Sequence, residues 1–174
     1  MRFIPLAIVT GLLIYGAQGQ QIPINTPYVE SPPHIVDAML ELAGVSGSDT
    51  VYDLGCGDGR IVISAAQKYG ARGVGVDINP ARIEEARANA RSAGVTHRVN
   101  FEVKDLFDAD IRDATVVALY LLPEANLRLR PRLLRELKPG TRVVTHSFDM
   151  GDWKPEKERL VDGVHVYLWT VPEP

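Results

Sequence analysis

The chain has 174 residues, a formal net charge of -3, 45% hydrophobic and 24% charged residues. This length supports one domain with a substantial core but not two. The slightly acidic balance gives no reason to expect nucleic-acid binding, which usually shows as strong basicity. The single cysteine, Cys56, excludes an intramolecular disulfide and a cysteine-based zinc cluster, and we predict no metal site.

The N-terminal segment differs in character from the rest of the chain. One positive charge at Arg2 precedes an apolar run, and the small residues Ala17 and Gly19 occupy the two positions that a signal peptidase reads. The apolar run is short for a membrane-spanning helix. We therefore predict that residues 1–19 are a signal peptide or an N-terminal membrane anchor, with a misplaced start codon as the alternative.

A polar and proline-rich stretch follows, over residues 20–33, and is predicted to form an extended arm. A helix should begin within 31–33, because Ser31 is a suitable N-cap and proline is tolerated in the first turn of a helix. Apolar residues at helical spacing continue from there, and Gly44 ends the helix.

Beyond residue 44, strand-like and helix-like segments succeed one another. Strands are predicted over 50–54, 73–77, 98–104, 114–121 and 142–148, and helices over 59–69, 80–93 and 124–137, the last with a break at Pro131. Two more strand-like runs flank Asp162-Gly163, which favours a hairpin. Repeated strand–helix units form parallel sheets with right-handed crossovers. We therefore predict, over residues 34–174, an α/β domain with a Rossmann-like, doubly wound, mostly parallel sheet of about seven strands ending in an antiparallel hairpin.

A glycine-rich turn follows the first predicted strand. Asp53 lies at the end of the strand, and glycines follow at positions 55, 57 and 59. Glycine permits a sharp turn and a close approach of a ligand to the backbone. A strand, such a turn and a helix N-terminus together form a cofactor cradle in doubly wound folds. Two cofactors compete for it: a nicotinamide dinucleotide and S-adenosylmethionine.

Three features favour S-adenosylmethionine. The glycines are spaced G-x-G-x-G rather than the G-x-G-x-x-G of dinucleotide-binding turns. A carboxylate at Asp53 suits a ligand with a free ammonium group and would repel a pyrophosphate. Asp105, after the third strand, suits an adenine amino group. Asp77, at the end of the second strand, would bind ribose hydroxyls in either case and does not discriminate.

These residues resemble the motifs of the class I, seven-strand S-adenosylmethionine-dependent methyltransferases. Asp53-Leu-Gly-Cys-Gly-Asp-Gly59 is similar to their first motif, Gly75-Val-Asp77 to their second, and Asp105-Leu106 to their adenine-contacting acid. A narrower resemblance is to the small protein-lysine methyltransferases that include mitochondrial members. It is carried by Pro27-Tyr-Val29, the glycine turn extended to Arg60, and Arg142-Val-Val144 followed by Trp153.

The resemblance implies S-adenosylmethionine as the cofactor and an arm that folds over it. The cofactor-binding residues that it implies are Tyr28 in the arm, Asp53 with Gly55, Gly57 and Gly59 at the methionine moiety, Asp77 at the ribose, and Ile78, Asp105 and Leu106 at the adenine.

The methyl acceptor is expected at the C-terminal ends of the fourth and fifth strands. Tyr120 and His146 are the candidate catalytic residues there, with a packing role as the alternative for each. Pro123 and Trp153 are candidate substrate contacts. Many amino-methylating relatives carry Asn/Asp-Pro-Pro-Tyr/Phe after the fourth strand. Residues 120–123 keep only the proline of that motif, which disfavours methylation of adenine or glutamine.

We therefore predict an S-adenosylmethionine-dependent methyltransferase that N-methylates a protein lysine or a small amine by in-line transfer. Nucleic acid is not expected as a partner, the chain should be a monomer, and membrane association would come through the N-terminus. An exported, non-catalytic binding module of the same fold stays open as an alternative, as does the less favoured NAD(P)-dependent oxidoreductase. The localisation stays open as well, because an export signal conflicts with the cytosolic supply of S-adenosylmethionine.

Overall fold

The computed structural model describes residues 29–173. The predicted signal or anchor segment 1–19, most of the predicted arm 20–33 and the candidate cofactor residue Tyr28 lie outside the described residues. Between residues 29 and 173, no helix is long and apolar enough to cross a membrane.

Helices and strands alternate as the sequence predicts, with ends that differ by a few residues at most. The helices are α1 (Pro33–Leu42), α2 (Arg60–Tyr69), α3 (Pro80–Ser92) and α4 (Pro123–Glu136). The strands are β1 (Thr50–Leu54), β2 (Arg72–Asp77), β3 (Val99–Val103), β4 (Val116–Leu119), β5 (Arg142–His146), β6 (Lys157–Val161) and β7 (Val164–Thr170).

One seven-stranded sheet has the order β3-β2-β1-β4-β5-β7-β6. Strands β1 to β5 pair in parallel, and β7 runs antiparallel between β5 and β6. This confirms the predicted doubly wound sheet with an antiparallel end. The strand order reverses between β1 and β4, and doubly wound sheets bind ligands at the carboxyl ends of the strands beside such a reversal.

The core lies on both faces of the sheet. One apolar cluster fills the space between the sheet and helices α1, α2 and α3, and a second lies between the sheet and α4. Strand β4 contributes Val116 and Ala118 to the first cluster and Val117 and Leu119 to the second. Burial on both faces explains why this strand is apolar at every position.

The predicted break at Pro131 is wrong, because α4 runs through this residue without interruption. Proline removes one backbone hydrogen bond from a helix and crowds the preceding turn. Here Pro131 is exposed, as is Leu127, whose carbonyl loses its partner, so water can take the place of that bond. Leu129 and Leu133, on the opposite side, are fully buried, and this packing holds the helix together.

The predicted N-cap of α1 is also wrong. Pro32 occupies the N-cap position and makes no side-chain capping bond. The hydroxyl of Ser31 instead forms a hydrogen bond with Nδ1 of His146 at 2.8 Å. A serine that would cap its own helix is engaged instead by a residue at the end of β5, 115 positions along the chain.

Candidate functional site

Three carboxylates lie at one edge of the sheet. Asp53 is near the end of β1, Asp77 is the last residue of β2, and Asp105 follows β3. Because β1, β2 and β3 are parallel neighbours, their carboxyl ends meet at this edge. The structure therefore brings the predicted cofactor acids to one edge of the sheet.

The carboxylate of Asp53 is buried without a partner. Asp53 is 3% exposed. Between residues 29 and 173, no side chain or backbone group donates a hydrogen bond to its carboxylate. Burial, with the nearby charges of Asp77 and Asp58, raises the pKa of Asp53 to about 8. Burial without a counter-charge disfavours the ionised form of this carboxyl, and a cation placed beside it would favour that form. The site therefore calls for a cationic ligand group, which fits the ammonium and sulfonium of S-adenosylmethionine and not a pyrophosphate.

Asp77 is fixed in position by backbone groups. Its Oδ2 accepts a hydrogen bond from the Gly57 N–H at 3.0 Å, and its Oδ1 accepts one from the Asn79 N–H at 2.9 Å. Each oxygen keeps a lone pair for a further donor such as a ribose hydroxyl. The next residue, Ile78, is 69% exposed, and an apolar side chain left in water at this edge suits contact with a flat adenine ring.

The loop that carries Asp105 and Leu106 is held by an arginine of α4. Asp105 Oδ1 accepts a hydrogen bond from the Phe107 N–H at 2.9 Å, which closes a local turn. Arg132 Nη1 donates to the carbonyls of Leu106 at 3.2 Å and Phe107 at 2.7 Å, and its Nη2 donates to the carbonyl of Ala109. No local sequence pattern indicates this role of Arg132, because the loop precedes it by about 25 residues.

The three glycines of the turn serve different purposes, although all have positive φ angles: Gly55 (94°), Gly57 (52°) and Gly59 (79°). The Gly55 N–H donates to the Val76 carbonyl at 2.8 Å and the Gly57 N–H to Asp77, so both groups are engaged within the fold. Because neither residue has a side chain, a ligand can approach the backbone at Gly55 and Gly57 closely.

Gly59 faces the core. A Cβ at this position would lie 2.6 Å from Cε1 of Phe101, far inside contact distance. Cys56 lies in the same turn and is also a packing residue: it belongs to the apolar cluster below α1, α2 and α3, and burial raises the pKa of its thiol far above the usual range. These two positions are required by the fold itself.

Arg60 ties the glycine turn to the start of the described chain. Its Nε donates to Asp58 Oδ1 at 3.0 Å, its Nη2 pairs with Glu30 at 2.8 Å, and its Nη1 donates to the carbonyl of Ser31 at 2.9 Å. Residues 30–31, which lead out of the predicted arm, are thus attached to the cofactor edge of the sheet.

The two candidate catalytic residues lie together. Tyr120 follows β4, His146 ends β5, and their rings stack with centroids 3.7 Å apart and planes inclined by 21°. His146 is 3% exposed. Burial lowers the pKa of His146 to about 4, so the imidazole is neutral at physiological pH. The predicted catalytic pair is one stacked aromatic unit, with His146 buried and Tyr120 half-buried, at the carboxyl ends of β4 and β5.

Pro123 and Trp153, the candidate substrate contacts, lie on two different elements. Pro123 is the first residue of α4 and is exposed. Trp153 lies in the loop after β5, where its carbonyl accepts a hydrogen bond from Trp169 Nε1 at 2.6 Å and the two rings are 5.9 Å apart. Trp153 therefore has a packing contact in the fold, and its contact with substrate stays a prediction.

Helix α4 also holds the loop after β5. Asn126 Nδ2 donates to the carbonyls of Phe148 at 3.3 Å and Asp149 at 3.4 Å, and Arg130 Nη1 donates to the carbonyl of Met150 at 2.7 Å. Sequence reasoning missed both residues. In the sequence, the only signal for Asn126 is a polar residue among the apolar positions of an amphipathic helix.

Comparison with known proteins gives consistent results. The family model of the ANTKMT methyltransferase domain matches residues 53–157. A protein-lysine N-methyltransferase of Saccharolobus islandicus is 47% identical over 86% of this chain and 96% of the relative. An adenine nucleotide translocase lysine N-methyltransferase of Mus musculus is 32% identical over 89% of this chain and 71% of the relative.

Solved structures share the fold. A protein from Salinibacter ruber, described as an RNA methyltransferase in complex with S-adenosyl-L-homocysteine, is 55% identical with a TM-score of 0.83, covering 84% of this chain and 95% of the other. A methyltransferase of Thiobacillus denitrificans is 21% identical with a TM-score of 0.60 over 75% of this chain and 52% of the other, which is a likeness of fold alone. The predicted resemblance is thereby confirmed. The chain belongs to the ANTKMT methyltransferase-domain family of S-adenosylmethionine-dependent methyltransferases.

Proposed function

We propose that this protein is a protein-lysine N-methyltransferase. The observation that carries the proposal is the charge of the acceptor edge. The segments that follow β4 and β5, residues 120–124 and 147–156, carry four exposed acids, Glu124, Asp149, Asp152 and Glu156, and one exposed base, Lys154. Asp152 is paired with Arg130 and Glu156 with Lys157, so Glu124 and Asp149 outnumber the single base Lys154 and leave an excess negative charge. Such an edge attracts a protonated lysine and repels a phosphodiester.

The named relatives support the same acceptor, because the Saccharolobus islandicus and Mus musculus proteins are both lysine N-methyltransferases. A nucleic-acid acceptor is the competing function, since the 55% identical Salinibacter ruber protein is described as an RNA methyltransferase. The net charge of -3 and the acidic loops oppose RNA binding.

The cofactor edge would hold S-adenosylmethionine in a fixed pose. Asp53 would bind its ammonium, Asp77 its ribose hydroxyls, and Asp105 with Ile78 and Leu106 its adenine, while Tyr28 would close the arm over it. When bound, the cofactor supplies a methyl group on a positively charged sulfur, which moves to an amine nitrogen and leaves S-adenosylhomocysteine. The main task of the chain is then to align the amine with this methyl group and to exclude water.

The acceptor edge would prepare the lysine for that alignment. Only a neutral amine has the lone pair that attacks, and a low-polarity environment lowers the pKa of a lysine. The stacked rings of Tyr120 and His146 provide such an environment at the end of the acceptor path. Pro123 and Trp153 would contact the aliphatic stem of the lysine, and Glu124 and Asp149 would attract its charge from outside.

The test uses the purified full chain and S-adenosylmethionine with a labelled methyl group, supplied with total protein and with total RNA in separate reactions. We expect label in protein, recovered as methyl-lysine after digestion. Asp53→Asn should abolish the transfer, whereas Asp113→Asn, an exposed acid after β3 and far along the chain from the turn, should not change it. Label in RNA alone would overturn the proposal.

The same preparation separates the remaining alternatives. S-adenosylhomocysteine should raise the unfolding temperature, and NAD or NADP should not. Stabilisation by a dinucleotide would indicate an oxidoreductase. The absence of stabilisation by any of the three, together with no methyl transfer, would indicate a non-catalytic module.

A further inference from the structure

Ser31 joins the two edges of the site. It lies near the end of the predicted arm, two residues before α1, and is 4% exposed. Its carbonyl accepts a hydrogen bond from Arg60 Nη1 at 2.9 Å, and its hydroxyl bonds with His146 Nδ1 at 2.8 Å. One residue therefore contacts the glycine turn through its backbone and the acceptor edge through its side chain.

The attachment to the glycine turn does not depend on the hydroxyl. Arg60 holds residues 30–31 through the Ser31 carbonyl and through the carboxylate of Glu30 at 2.8 Å, and Asp58 in turn holds Arg60. Removal of the Ser31 hydroxyl leaves each of these contacts in place. The two functions of Ser31 can therefore be separated by mutation.

The hydroxyl contacts a neutral imidazole. A neutral histidine carries one N–H, and the partners of its ring nitrogens influence which nitrogen has it. A serine hydroxyl can donate to Nδ1 or accept from it, so the contact itself is compatible with both tautomers. His146 Nδ1 is engaged by Ser31, the Tyr120 ring fixes the plane of the imidazole, and no residue from 29 to 173 hydrogen-bonds with Nε2. Because burial lowers the pKa of His146 to about 4, Nε2 cannot take a proton from an ammonium and keep it. Its lone pair can still accept a hydrogen bond from a neutral amine.

We propose that Ser31 is a positioning residue for methyl transfer: its hydroxyl accepts the Nδ1–H bond of His146 and so presents the Nε2 lone pair to an N–H of the acceptor lysine. This inference rests on the proposed function, since it takes the lysine nitrogen as the methyl acceptor. An N–H held by Nε2 fixes the direction of the lone pair on the amine. The opposite tautomer would direct an N–H at that lone pair and compete with the reaction.

The tautomer can be measured directly on the full chain. With 15N-labelled histidine, nuclear magnetic resonance distinguishes protonated from bare ring nitrogens, and a His146→Gln variant assigns the signals among the four histidines. We expect the proton of His146 on Nδ1, with and without S-adenosylhomocysteine. A proton on Nε2 in the wild-type protein overturns the inference, whatever any variant does.

Kinetics of Ser31→Ala and Ser31→Thr complete the test. Loss of the hydroxyl should lower kcat for lysine methylation about tenfold or more, as loss of a group that orients a functional histidine does. The KM for S-adenosylmethionine should stay within about twofold, because the Arg60 contacts remain. Ser31→Thr, which keeps a hydroxyl, should restore most of kcat. Ser48→Ala, at an exposed serine, is the matched control.

The outcomes separate this inference from the proposed function. A wild-type protein without lysine methylation contradicts the proposed function itself. An active wild-type protein whose kcat is unchanged by Ser31→Ala, or whose loss appears wholly in the KM for S-adenosylmethionine, contradicts only the role of Ser31.

Discussion

The two halves of the site use different chemistry. The cofactor half, at the ends of β1, β2 and β3, presents the carboxylates of Asp53, Asp77 and Asp105. The acceptor half, at the ends of β4 and β5, presents the stacked rings of Tyr120 and His146. Under the proposed function, the carboxylates would bind the cationic cofactor, and the stacked rings would contact the aliphatic chain of the acceptor lysine. The difference predicts that changes in the first half act on binding and changes in the second half act on kcat.

The largest effect on this division into two halves is expected from a substitution at Asp53. Asp53→Asn should weaken S-adenosylhomocysteine binding about 100-fold or more, because it removes one partner of a buried charge pair. The same change should raise the unfolding temperature of the ligand-free protein, because it removes a buried carboxylate that has no described partner. Calorimetry and thermal unfolding measure the two effects, with Asp113→Asn as the control. Unchanged affinity would show that Asp53 does not bind the ligand.

The glycine turn offers a second test, because Gly59 is required by core packing rather than by contact with a ligand. Gly59→Ala should lower the free energy of unfolding by about 2–3 kcal/mol, since a Cβ would collide with Phe101 in addition to the strain at φ 79°. Gly70→Ala has a similar φ of 70° and open space around the new Cβ, and should cost about 1 kcal/mol. Chemical denaturation measures both, and equal losses would contradict a packing role for Gly59.

The pH dependence of stability sharpens the comparison further. The pKa of Asp53 is about 8 in the folded protein against 3.8 for an ordinary aspartate, so the folded state binds more protons than the unfolded chain between these values. Its contribution to stability is therefore greatest below about pH 4 and is lost as the pH rises toward 8, by up to about 1.4 kcal/mol per pH unit.

Unfolding of wild type and Asp53→Asn across this pH range isolates that contribution, because His146 and the other titrating groups are common to both proteins. The stability advantage of Asp53→Asn should increase with pH. A constant difference would show that Asp53 is ionised throughout the range.

The smallest effect is expected in the acceptor half. Tyr120→Phe keeps the ring that stacks on His146 and removes only the hydroxyl. If that hydroxyl orients the amine, kcat should fall about threefold to tenfold with little change in the KM for S-adenosylmethionine, since one hydrogen bond contributes about 1 kcal/mol. Steady-state kinetics decides this, and a change confined to the cofactor KM would contradict the division into two halves.

The grouping of Asp53, Asp77 and Asp105 at one edge of the sheet could be predicted because its signals are local. Asp53 and the glycines lie within one short segment, and Asp77 and Asp105 each end or follow a strand that the apolar pattern marks. Parallel strands then bring these acids to one edge without further information. Local signals also predicted the sheet. The spacing of the apolar residues indicated the strands, and the Asp162-Gly163 turn indicated the antiparallel end.

The rest of the site depends on contacts between residues far apart in the chain. The hydroxyl of Ser31 reaches His146 across 115 residues, and this contact outweighs the local preference of serine for an N-cap. Pro131 stays helical because of the packing of Leu129 and Leu133 against the sheet, which no local pattern reveals. Such positions are decided by tertiary structure rather than by propensity.

The bonds from Arg132 to the loop after β3 matter for the construction of chimeras. Its guanidinium satisfies the carbonyls of Leu106, Phe107 and Ala109 from a helix that begins more than a dozen residues later. A loop transplanted from another methyltransferase would bring the carbonyls without their donor and leave them unsatisfied. The loop and the helix therefore form one exchangeable module, and a productive crossover point lies before Asp105 or after Glu136, not between them.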